Sequence, residues 1–160
     1  MHYTVITQGH RQFEVYDEAG SLQGTLTQNM WRPTRAEMIV HGTGYQFAPK
    51  GFWQTINMTR NDMHVAEIKF TLGGGLKIHF AHLASPYRFR HKSLWHSSYA
   101  ITDDYGHEIA VVQTGINWKK LKSTYEIDVH PNTLDKEMNA LLPLLIMYCV
   151  RYMRVLMAAG

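Results

Sequence analysis

Residues 140–150 read ALLPLLIMYCV, an unbroken run with no charged side chain, and Arg151 and Arg154 follow it at once. A helix that spans a bilayer needs about 20 predominantly apolar residues, whereas runs of about 10–14 are usually core helices. Extending the run to Ala159 reaches spanning length only by placing two arginines in hydrocarbon, at roughly 2.5–3.5 kcal/mol each near the centre. The run therefore reads as a core helix over about residues 133–158, and no transmembrane segment is expected. Asn132 or Thr133 would cap it, and Asp135 and Glu137 would face the positive end of its dipole. Arg151 and Arg154 lie toward the other end, where cations are favoured. Pro143 removes one backbone hydrogen bond, so a kink is expected in the first turns. A helix apolar on every side cannot lie on a sheet surface; it has to be surrounded.

The preceding chain supplies the surround. In HVAEIKFTLGGGLKIHF (64–80), Ala66, Ile68, Phe70 and Leu72 alternate with Val65, Glu67, Lys69 and Thr71, and Leu76, Ile78 and Phe80 alternate with Lys77 and His79. Period-two alternation either side of a glycine turn predicts a hairpin with one buried face. Further turns are predicted at 17–20 (DEAG), 41–44 (HGTG), 59–62 (TRND) and 103–106 (DDYG). Leu121, Tyr125, Ile127 and Val129 share one face of a long strand, opposite Lys120, Lys122, Thr124, Glu126 and Asp128. About ten to twelve strands over about residues 2–130 have the spacing of a sandwich or barrel. Enclosing the helix selects a closed, or nearly closed, antiparallel β-barrel of about 12 strands, mainly β, with the hydrophobic C-terminal helix threaded through its centre. The whole of 1–160 reads as a single domain. Phe13, Val15, Asp17 and Gly20 match Tyr99, Ile101, Asp103 and Gly106 in spacing. A shared turn type gives that pattern, and a pseudo-repeat of two sheet halves is the other reading.

The motifs DEAGSLQG (17–24), YAITDDYGHEIAVV (99–112) and YEIDVHPNTLD (125–135), leading into the apolar helix, make the chain resemble the LURP-one-related family. That family belongs with the tubby C-terminal domain and the phospholipid scramblases. The resemblance covers about residues 13–155 and implies a twelve-stranded barrel around a central helix. It also implies binding of anionic phospholipid head groups, which tubby domains hold with Lys and Arg side chains. No residue-by-residue match to the tubby phosphoinositide site can be drawn, and the cysteine cluster of scramblases is absent.

A net charge of +3 and a pI near 9.0 permit an anionic partner without demanding one, and no nucleic acid is expected. The one cysteine, Cys149, excludes an intramolecular disulfide and a Cys-based zinc cluster, and in its apolar setting it is a poor nucleophile. MHYTVITQGHRQF, at the N-terminus, lacks the pattern of a secretory signal, so a cytoplasmic protein, at most peripheral at a membrane, is the expectation. The ten histidines show no accepted metal spacing, the serines lack the glycines of a nucleophile elbow, and no phosphate loop is present. No enzyme, metal or cofactor is expected. The densest basic stretch is YRFRHK (87–92), which as a strand turns Arg88, Arg90 and Lys92 to one face. Such a row suits phosphate oxygens, with Arg binding in bidentate fashion. WKKLK (118–122) is the second stretch, with Lys120 and Lys122 beside Trp118. The reading is a non-enzymatic binding module for anionic phospholipid or another phosphate-bearing ligand. A protein-interaction module using Trp31, Trp53 and Trp95 is the alternative, and a membrane-anchored scramblase-like protein is the second.

Overall fold

The computed structural model describes residues 1–51, 55–93, 97–117, 122–131 and 134–159. Its strands are β1 (His2–Gln8), β2 (Gln12–Tyr16), β3 (Leu22–Gln28), β4 (Ala36–Val40), β5 (Thr43–Pro49) and β6 (Thr55–Arg60). β7 (Met63–Phe70), β8 (Leu76–Phe80), β9 (Tyr87–Ser93), β10 (Ser98–Thr102), β11 (Glu108–Asn117), β12 (Lys122–Val129) and helix α1 (Lys136–Ala159) follow. Each strand pairs antiparallel with its sequence neighbours, and β1 pairs with β12, so the sheet closes into a twelve-stranded barrel. Odd strands therefore run one way and even strands the other. The connections after even strands, with the start of α1, lie at one end, here the entry end. Those after odd strands lie at the exit end, toward which α1 runs.

At about 4.8 Å between strands, twelve strands give a circumference near 58 Å and a diameter of roughly 18 Å before tilt widens it. That is too wide for strand side chains to fill alone, and it suits a helix about 10–12 Å across. Inward residues such as Val15, Leu26, Met38, Ile68 and Ile127 are buried around α1, whose residues 141–150 are all buried. α1 is long and apolar enough to cross a membrane by length and composition, yet 67% of its most apolar window is buried inside the barrel. It runs unbroken through Pro143. Tyr148 stacks on Phe47 at 3.9 Å and donates its hydroxyl to the carbonyl of Thr34 at 2.6 Å.

Several local expectations change. The helix starts at Lys136, and Asp135 caps it, its Oδ1 accepting the Met138 N–H at 2.8 Å. Asn132 and Thr133 lie outside the described residues. No basic residue stands in the last turn, so Arg151 and Arg154 sit too far back to act on the dipole. The 41–44 and 59–62 turns tighten to two-residue connections, with positive φ at His41 and Gly42 and at Asn61 and Asp62. Such turns match the twist of the flanking strands. The inward alternation of β7 ends at the Phe70–Leu76 pair, leaving Phe70 at the rim and Leu72 in the exposed loop beyond it.

Three connections share one geometry. The N–H groups of Asp17, Thr71 and Asp103 donate to the carbonyls of Ser21, Gly75 and His107, at 3.0, 3.0 and 2.9 Å. The N–H groups of Gly20, Gly74 and Gly106 donate back to the carbonyls of Asp17, Thr71 and Asp103. The likeness between 13–20 and 99–106 is thus a turn type that recurs at 71–75 in an unrelated sequence. A six-strand repeat would match β2–β3 with β8–β9, whereas the likeness falls on β10–β11.

Candidate anion-binding face

β9 alternates about its buried Phe89, so Arg88, Arg90 and Lys92 all point outward and exposed. His91 points inward against the Tyr99 ring at 4.3 Å, with neither ring nitrogen hydrogen-bonded among the described residues, and burial pushes its pKa below the ordinary value. It stays neutral and adds nothing to the positive field. Among the three outward cations, Lys92 is neutralised by Glu108 at 2.9 and 3.2 Å, and Arg88 lies 4.0 Å from Asp104. Arg90 has no ion pair among the described residues.

The register adds two residues that the basic-run reading missed. Lys77 on β8 sits directly opposite Arg88, and Lys69 on β7 sits directly opposite Lys77. The row Lys69–Lys77–Arg88 crosses three strands of the outer wall, with Arg90 two residues further along β9. Like charges directly opposite in a sheet are destabilising. Glu67, 3.4 Å from Lys69, and Asp104 relieve the flanks. Lys77, half-buried between them, has no carboxylate partner among the described residues. The alternation of LKIHF already turned Lys77 outward; what the sequence lacked was the pairing that puts it beside Arg88.

Of the second stretch only Lys122 is among the described residues. Lys120 and Trp118 lie outside the described residues, as do Trp53 and Trp95. Lys122 opens β12, three strands from β9, or about 14 Å at the usual strand spacing. A cavity of about 300 Å³ opens at the entry end, floored by Tyr45, Phe80, Met138 and Leu141. Its charges are engaged: Glu137 pairs with Arg60 at 3.2 Å, and Asp135 caps the helix. Among the described residues no group of three or more His, Cys, Asp or Glu side chains is placed to hold a metal ion. Burial pushes the Cys149 thiol far above its ordinary pKa.

The molecule is thus a twelve-stranded antiparallel barrel with an apolar helix as its core and, on its wall, a basic row only part of which is ion-paired among the described residues. No family model matches the chain, and no curated protein matches it. Among solved structures, an X-ray structure of an Arabidopsis thaliana protein is similar, with a TM-score of 0.61 over 91% of this chain and 90% of that one. The two are 16% identical, so the likeness carries the fold alone.

Proposed function

We propose that the protein is a LURP-one-related, tubby-like binding module, non-enzymatic, whose ligand is the head group of an anionic phospholipid. The observation that carries this reading is Lys77, flanked in register by Lys69 and Arg88, with Arg90 beside it and neither of Lys77 and Arg90 in an ion pair among the described residues. A phosphate across this row would offset the repulsion between like charges that the sheet otherwise bears. Lys92, neutralised by Glu108, contributes little.

Each basic side chain near an anionic bilayer is worth about 1 kcal/mol, so Lys77→Gln with Arg90→Gln should weaken binding to acidic liposomes roughly thirtyfold. Lys92→Gln should change it far less. Flotation with liposomes of graded phosphatidylserine content measures both. No binding by the parent protein sinks the lipid reading and leaves the protein-interaction module in its place; equal loss in the two variants moves the site off this row.

A further inference from the structure

We propose that the exit end of the barrel is a membrane-docking face, which meets an anionic bilayer end-on with Trp31 and Leu72 in the interfacial layer. The proposal rests on the lipid reading above and adds to it an orientation and an apolar anchor.

The two ends of the barrel carry opposite charge. Among the described residues, the connections at the entry end hold Asp17, Glu18, Asp62, Asp103, Asp104 and Asp135, with no Lys or Arg, and Lys136 opening α1 and Arg60 paired with Glu137 leave that end negative. Those at the exit end hold Arg11, Arg32, Arg35 and Lys50, with no Asp or Glu. Arg151 and Arg154 add to the exit end from inside its mouth, donating to the neutral Gln28 side chain at 3.0 Å and the Tyr125 hydroxyl at 2.8 Å, with no ion pair among the described residues. Glu37, one residue into β4, is the nearest described wall acid. A 24-residue helix is about 36 Å long, several times the Debye length of about 8 Å, so an approaching surface feels one end at a time. An anionic surface selects the exit end.

Apolar exposure alone does not distinguish the ends, since Leu22, Met63 and Tyr105 are exposed at the entry end. The exit end is where exposed apolar tips coincide with positive charge, the pairing that interfacial binding uses. Leu72 is fully exposed at the β7–β8 tip, Trp31 is 86% exposed with Met30 beside it, and Met157 projects from the end of α1. Both tips are held by the fold. Asn29 Oδ1 accepts the N–H groups of Trp31 and Arg32, each at 3.0 Å, and the Thr71–Gly75 bonds close the other loop. Insertion therefore orders no floppy loop. The position of a Gly75 Cβ lies 3.3 Å from Arg90 Cβ, so the Leu72 loop abuts the basic row and the two form one continuous surface.

An environment-sensitive dye on Leu72→Cys and, separately, on Tyr105→Cys at the acidic end tests the orientation, because buried Cys149 stays unlabelled. With vesicles of phosphatidylcholine containing phosphatidylserine, the dye at residue 72 should shift to the blue and brighten, and the dye at 105 should not. Trp31→Ser with Leu72→Ser should lower vesicle affinity about tenfold or more, with an unchanged melting temperature. Vesicle binding with no spectral change at residue 72, or an equal change at 105, overturns the end-on orientation while the lipid reading stands. Absence of vesicle binding by the unlabelled parent overturns both.

Discussion

Gly24 on β3 is a place where wall and helix crowd each other. A Cβ there would fall 2.3 Å from the Ile39 carbonyl oxygen and 2.9 Å from Leu144 Cδ1, so neither β4 nor the helix leaves room for a methyl group. Gly24→Ala should destabilise the protein by about 1–3 kcal/mol, as overpacking does, and a thermal melt with an unchanged midpoint would show the helix seated elsewhere. His2 acts at the seam where β1 meets β12. Its Nδ1 lies 2.7 Å from Asp128 and its Nε2 2.5 Å from Glu126, and its backbone N–H donates to Glu18 at 2.9 Å. The hydrogen bond to Asp128 leads in raising its pKa, with a smaller contribution from Glu126. A group whose folded pKa is raised contributes stability that is fully present below its unfolded value, near 6.5, and lost as pH rises through the folded one. His2→Gln should therefore lower the melting temperature at pH 5.5, with the difference fading by pH 8.5. A constant difference across that range would mean the imidazolium does not clamp the seam.

At the scale of elements, the turns carry what the strands cannot. Gly20 and Gly106 adopt φ of 79° and 86°, which a β-branched residue resists, while a Cβ at either would meet nothing within 4 Å. Gly20→Val and Gly106→Val should each cost about 1–2 kcal/mol, from backbone strain alone. Comparing Ala with Val at both sites by denaturant melts separates that strain from packing; no loss in any variant would refute the turn geometry. The wall row shows the complementary case. Arg88, Arg90 and Lys92 share a face because a strand alternates, yet Glu108 on β11 and Asp104 in the β10–β11 connection decide which of them stay available.

For the whole molecule, closure and filling depend on each other. The pairing of β1 with β12 links strands separated by most of the chain, and the interior they enclose is filled by α1. Leu145 and Ile146 lie at the middle of that filling, buried on every side. Leu145→Asp places an unpaired charge there, which the apolar interior cannot solvate. Deleting the chain from Leu141 onward should abolish cooperative unfolding, and Leu145→Asp should come close to it, as read by calorimetry. A truncated protein that still melts cooperatively would show that the barrel stands without its core.

The period-two strands, the glycine turns and the all-round apolar helix were legible in the sequence, because side-chain alternation, positive φ and hydrophobicity are properties of neighbouring residues. Taken together they required a barrel around a helix. The helix cap at Asp135, the two-residue turns at 41–42 and 61–62, and the exposure of Leu72 depended on where each ladder ends, which pairing across strands settles. The site divides the same way. The outward set of β9 came from its own residues, whereas Lys77 opposite Arg88, the neutralisation of Lys92 and the gathering of acidic loops at one end needed the register and the up-and-down order of twelve strands. Residues far apart in the chain become neighbours through strand pairing and the threading of the helix, and local sequence carries no record of either.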